Sequence, residues 1–265
     1  MKNKTKLTLR ILAAILAFTL IGGIFYVTNS IMGNPISRIL ADKTIREYVE
    51  QNYSFLDLEV EKPIYNFKTG SYMARAKSKT SIDTHFAIYA KNGKVTNDHY
   101  EINVLGMFNT RERLAQEYSL LARKIISQEL GYKDNTTYVI YKNDEKSNEI
   151  LQLDMKFDHK LPLNAEVNLR LELEDTSLEN LANVLLNAHQ AFLKNDCYFY
   201  RYNIYSEGDE SNISVFGVTP EDIESGQLAN LLEEAENYEE KEPITTDEGE
   251  RKKEVEQRIF IYRKS

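Results

Sequence analysis

The stretch DTHFAIYAKNGKVTNDHYEINV (83–104) holds two of the chain's four histidines. Each lies two positions from a carboxylate, Asp83 with His85 and His99 with Glu101. Imidazoles and carboxylates together suit transition metals, and a metal held by them would activate water for hydrolysis. Asn92-Gly93 between the pairs is the sequence of a two-residue hairpin turn of type I′. Pairing outward from that turn sets Lys91 opposite Lys94, Ala90 opposite Val95 and Phe86 opposite His99. In this unbroken ladder the two histidines face opposite ways, and both sheet faces would need burial. One extra residue near Asn97-Asp98 flips the parity of everything beyond it. Phe86, Ile88, Ala90, Val95, Tyr100, Ile102 and Val104 then share a core face. Asp83, His85, His99 and Glu101 share the other. The bulged register is the preferred reading. Diagonal neighbours on a sheet still stand roughly 7–8 Å apart, and polar side chains on a wet face need no ligand to explain them.

The other reactive side chains are less promising. Cys197 is the chain's single cysteine, so internal disulfides and cysteine zinc sites are excluded. Its setting, NDCYFYRYNIY, reads as a small buried thiol beside an aromatic strand. His159 and His189 read as surface or boundary histidines. The sequence contains no G-x-S-x-G, no H-E-x-x-H and no Gly-rich phosphate loop. Catalytic, cofactor-binding and metal residues are therefore assigned to none, and no cofactor is expected. A net charge of -8 argues against nucleic acid, which needs a clustered basic surface.

The elements that position these residues begin at the N-terminus. MKNKTKLTLR carries Lys2, Lys4, Lys6 and Arg10 with no acid, and the apolar run ILAAILAFTLIGGIFYVTNSIM (11–32) follows. Its length reaches the roughly 20 residues needed to cross a bilayer core. Signal peptides have shorter apolar cores and end in small residues of the A-x-A type, which TNSIMGNP lacks. An uncleaved single-pass anchor is favoured over a cleaved signal. The absence of cysteine near residue 30 excludes lipoprotein-style lipidation. Basic residues before the span hold that end in the cytoplasm and place the bulk of the chain outside.

Asn34 caps a helix over 35–52, with Pro35 in its first turn. Leu56, Leu58 and Val60 mark a strand that Pro63 ends or bends, and strands around Tyr72–Ala76, Phe86–Ala90 and 94–104 follow. This is one helix and a four-stranded meander. Asn109 and Glu112 read as a capping box for the next helix. Strands are expected near 137–142, 149–157 and 164–174. Thr176 and Glu179 read as a second capping box, before a helix faced by Leu181, Leu185 and Phe192. Strands 197–205 and 211–218 flank the turn Glu207-Gly208-Asp209, and Thr219-Pro220 opens another helix. From Glu233 to Glu254 charge dominates, which reads as a solvated helix end and a linker. RIFIYRK (258–264) has strand propensity. The fold class is α+β: an N-terminal transmembrane helix, then two modules of helices packed on antiparallel sheets. The boundaries are 1–33 for the basic end and anchor, 34–107 and 108–238 for the modules, and 239–265 for the charged tail.

Five blocks carry a resemblance: GNPI (33–36), YNFKTGSYMARAKS (65–78), DTHFAIY (83–89), FNTRERL (108–114) and LDMKFD (153–158). In this order they resemble the YfjL-like family of membrane-anchored proteins of Gram-positive bacteria. The resemblance implies an N-terminal and a C-terminal domain behind one span, and no known activity or site residues. Helix 35–52 with the NGKV turn (92–95) is similar, more faintly, to PepSY modules, small exported domains proposed to inhibit proteases or assist neighbours. Four strands after one helix depart from that layout.

The expected function is a non-enzymatic, membrane-anchored binding or accessory module of the cell envelope. Its partners would be the membrane, through the N-terminal helix, and an envelope protein. The alternative is a metal-assisted hydrolase using Asp83, His85, His99 and Glu101.

Overall fold

The computed structural model describes residues 2–207, 212–237 and 259–264. The Gly208-Asp209 turn and the charged stretch 239–258 lie outside the described residues. The chain divides into two units, Met1–Asn109 and Thr110–Ser265.

The first unit opens with α1 (Lys2–Met32), a helix long and apolar enough to cross a membrane. From Ile11 to Met32 its large apolar side chains are exposed. Gly33 and Asn34 break it from α2 (Pro35–Tyr53). The Asn34 side-chain oxygen accepts from the amides of Ile36 (2.8 Å) and Ser37 (3.4 Å), as the Asn-Pro pair foretells. One face of α2, Ala41, Ile45 and Val49, packs on an antiparallel sheet. The sheet comprises β1 (Leu58–Val60), β2 (Ile64–Asn66), β3 (Ser71–Ser78), β4 (His85–Lys91) and β5 (Lys94–Asp98). Pro63 interrupts the first strand without ending the sheet: β1 and β2 pair with the same edge of β3 on either side of it. Ala74, Ala76 and Ala90 are buried under α2, and their small side chains let the helix lie close.

The expected hairpin bulge is present, one position earlier than Asn97-Asp98. Ala90 pairs with Val95 but Tyr89 pairs with Asn97, so Thr96 is the extra residue. Its hydroxyl donates to the Tyr89 carbonyl at 3.2 Å. The expected strand 94–104 is corrected: it stops at Asp98. The Asp98 carboxylate accepts from the Tyr100 amide at 3.0 Å and turns the chain. Residues Glu101–Leu105 then form one wide helical turn, closed by Gly106 N–H on the Glu101 carbonyl. Tyr100 and Val104 still reach the core, whereas Ile102 is exposed.

The second unit contains α3 (Phe108–Glu129, counted from Thr110), β6 (Tyr138–Tyr141), α4 (Glu145–Ile150) and β7 (Ala165–Leu171). It continues with α5 (Leu178–Lys194), β8 (Arg201–Glu207), β9 (Asn212–Val218), α6 (Pro220–Glu224), α7 (Leu228–Glu236) and β10 (Phe260–Lys264). The sheet order is β10-β9-β8-β7-β6. The sheet is mixed, because α5 carries the chain over so that β8 runs parallel to β7. Asn203 secures a second irregularity. Two residues of β9, Phe216 and Gly217, oppose it, and its side-chain oxygen accepts the Gly217 amide at 2.8 Å.

Three local readings are corrected. Asn109 does not cap α3: it lies inside the first turn, and its amide donates to the carbonyls of Asp83 (2.8 Å) and His85 (2.7 Å). Residues 149–157 form no strand, because Asp144 caps α4 through the Ser147 amide (2.9 Å) and commits the segment to a helical turn. The cap of α5 is Ser177, not Thr176.

Phe86 is 1% exposed and packs edge-on against Tyr53 (5.0 Å) and Tyr100 (5.1 Å). Phe86→Ala should lower the stability of the first unit by about 3–5 kcal/mol. Urea unfolding of the full chain in detergent, followed by tyrosine circular dichroism, measures this.

Candidate functional site

The hairpin residues are not gathered into a metal site. The bulge does put His85 and His99 on the face of β4 away from the core, with His99 N–H on the Ala87 carbonyl (3.0 Å). Asp83, however, is only 1% exposed in the turn before β4, off the wet face. Glu101 leaves the ladder on the wide helical turn and is exposed. The His99 ring leans on Tyr89 at 5.2 Å. Burial, then the Arg75 guanidinium, pushes the His85 imidazole down and keeps it neutral at pH 7. Among the described residues no group of three or more His, Cys, Asp or Glu side chains is placed to hold a metal ion.

The remaining reactive groups serve the core of the second unit. Cys197 is fully buried, and its thiol is pushed up by burial, offset in part by the Tyr118 hydroxyl. His159 is half-buried beside Phe157 and Tyr118. His189 corrects the surface reading: it is buried. Its Nδ1 lies 2.8 Å from the Tyr202 hydroxyl and its Nε2 lies 3.0 Å from a Glu224 carboxylate oxygen. One neutral tautomer satisfies both contacts, with Nε2–H donating to Glu224 and Tyr202 O–H donating to Nδ1. Tyr202 is fully buried against Phe192 and Phe199, so this chain of bonds fixes α5 to β8 and α6. The signal for burial was in the sequence, since His189 follows Leu185 by four and precedes Phe192 by three.

A wide concave surface lies in the first unit, where α1 meets α2. An open groove of about 960 Å³ runs between the last two turns of α1 (Phe25–Met32), the start of α2 and the Pro63–Tyr65 segment. A smaller cleft of about 170 Å³ continues it, between Asn29 of α1, Leu40 of α2 and the turns at Gly70 and Gly93. The groove exists because the joint is held in one geometry. The Tyr72 hydroxyl accepts the Asn34 amide at 2.8 Å and donates to the Asn34 carbonyl at 2.8 Å. Gly33 has φ +75°, and a Cβ there would lie 2.6 Å from Tyr65 Cγ and 2.8 Å from the Tyr72 hydroxyl oxygen. Only glycine fits both the backbone and the space.

The surface around the groove is apolar and basic. Ile64 (64% exposed) lines it, and Ile36 (77%), Ile39 (71%) and Phe67 (60%) are exposed on the adjoining start of α2 and end of β2. Arg38, Lys68 and Lys94 are exposed, and among the described residues none has an ion-pair partner. Lys91 reaches the Thr69 carbonyl at 2.9 Å and ties the two turns together. The sequence reading recognised Asn34 and Pro35 as a cap but not this site. Gly33 directly before them was the available signal. The four cations are too far apart in sequence to register as a charge run.

A helix long and apolar enough to span a membrane, followed by two α+β units, defines the class of protein. Residues 8–99 match the model of the YfjL-like, N-terminal domain, and residues 117–233 match the YfjL-like C-terminal domain. The chain belongs to the YfjL-like family. Comparisons with curated proteins and with solved structures return no match.

Gly33→Ala should open the joint, since the left-handed backbone costs an alanine about 1–2 kcal/mol before the contact with Tyr65 is counted. Limited proteolysis in detergent should then cut near residues 33–34, where the wild type resists. Cys197 should remain unlabelled by maleimide in the folded chain and react fully in urea.

Proposed function

We propose that the protein is a membrane-anchored, non-enzymatic binding module of the cell envelope that works through the groove at the α1–α2 joint. In this reading the basic end with Lys6 and Arg10 stays in the cytoplasm, and α2 and everything after it lie on the other side. The supporting observation is the joint itself. Tyr72, Tyr65 and Gly33 fix the end of α1 against the sheet, so the groove is a formed surface beside the bilayer, not the by-product of a loose tether. His189 and Cys197 weigh the same way, since both are taken up in packing and hydrogen bonding.

Two measurements test this. With Cys197 buried, single reporters can be placed in the native background. Glu50→Cys on α2 should be labelled by an impermeant maleimide in intact cells, and Lys6→Cys only after lysis. The reverse pattern overturns the orientation. A photo-crosslinking residue at Ile64 should capture a membrane component, while one at Lys133 of the second unit should not. Equal, background-level capture at both positions would remove the groove as a binding surface.

A further inference from the structure

We infer that the groove holds an anionic phospholipid of the leaflet from which α2 emerges, with its acyl chains along α1 and its phosphate among Arg38, Lys68, Lys91 and Lys94. The inference rests on the reading of α1 as a membrane span. The apolar run begins at Ile11, and about 20 helical residues cross the hydrocarbon core, so the far boundary falls near Ser30. The groove wall formed by Phe25–Met32 straddles that level. Its inner end is therefore in hydrocarbon and its outer end among headgroups.

The lining combines apolar and basic parts, with polar Thr28 and Asn29 on α1 as well. Phe25, Ile31 and Met32 of α1 and Ile64 of β2 give the apolar part. Arg38 lies on the groove at the start of α2. Gly33 at the end of α1 and the turns carrying Gly70 and Gly93 line the same continuing cleft, so those turns stand beside the membrane exit. Lys68 belongs to the first turn, and Lys91 and Lys94 flank the second. Gly70 lies close under the Lys91 ammonium, 3.7 Å from where its Cβ would be. Arg38 and Lys91 thus line the groove and its cleft, and Lys68 and Lys94 sit on the two turns that border the cleft, in a chain whose net charge is -8. No carboxylate is ion-paired with any of them among the described residues. Tyr26 and Tyr65 flank the groove at the level where amphipathic rings favour a membrane interface. An apolar slot in hydrocarbon beneath unpaired cations matches a lipid with two chains and a negative headgroup. A zwitterionic lipid would satisfy the slot but not the collar.

The test uses the full chain, extracted in mild detergent and examined by native mass spectrometry after titration with phosphatidylglycerol or phosphatidylcholine. Each Lys or Arg near an anionic surface contributes about fivefold in affinity. Wild type should retain one phosphatidylglycerol and prefer it strongly to phosphatidylcholine. Replacing the four cations by glutamate (Arg38→Glu, Lys68→Glu, Lys91→Glu, Lys94→Glu) should weaken retention by about three orders of magnitude or more. Ile64→Asp should weaken both lipids alike. Far-UV circular dichroism checks that these exposed substitutions leave the fold intact, and a variant that fails is replaced by the single Arg38→Glu. Equal retention of the two lipids, or unchanged retention in the charge variant, overturns the inference. A protein captured from Ile64 together with no lipid retention would also overturn it, while leaving the broader binding-module reading in place.

Discussion

Everything in the first unit depends on one close approach, that of the Gly33-Asn34 backbone to the rings of Tyr65 and Tyr72. Two hydrogen bonds from a single hydroxyl hold both polar groups of Asn34, while the missing side chain of Gly33 lets Tyr65 lie against the main chain. The Asn34 side chain meanwhile caps α2. One residue thus ends a helix, starts another and docks to a strand. Tyr72 is itself part of the core under α2, so the joint and the core share a member. The direction of α1 relative to the sheet is set by the same packing that stabilises the sheet.

Irregular backbone is stabilised in both units by short polar side chains. Thr96 closes the bulge in β5, Asp98 turns the chain out of that strand, and Asn203 takes the amide that the β9 irregularity frees. Asp98 also accepts hydrogen bonds from the hydroxyls of Tyr48 and Tyr53. Burial, reinforced by the carboxylate, pushes both tyrosines up, so they remain donors at any physiological pH. A carboxylate on the core side of a strand is costly unless paired, and here two tyrosines and a backbone amide satisfy it.

Much of this architecture was legible in the sequence. Alternation in Phe86-Ile88-Ala90 and the Asn92-Gly93 turn located the hairpin, and conflict between its two faces demanded a bulge. The displacement of that bulge to Thr96 was not legible, because any residue between Val95 and Asp98 restores parity equally well. Periodicity also failed after Asp98, where Tyr100, Ile102 and Val104 alternate like a strand but a side-chain carboxylate redirects the backbone. The strand expected over 149–157 failed because the Asp144 cap commits its start to a helical turn. The parallel pairing of β7 and β8 is a property of the crossover, which local patterns do not encode. The groove was invisible for a different reason: its walls come from residues 25–38 and 63–72, and its cations from four separated positions, so only the folded chain assembles them.

The last strand gives the second unit an unusual order of completion. β10 borders β9 through register pairs from Phe260–Phe216 to Lys264–Asn212, although more than forty residues of chain separate the two strands. Arg263 clamps it to Glu236 of α7 at 3.1 Å. Until that segment is delivered, β9 is an open edge carrying Ile213, Val215 and Phe216, the kind of border that pairs with other chains. During synthesis the C-terminal sheet therefore keeps a bare side until residues 260–264 emerge to pair with β9.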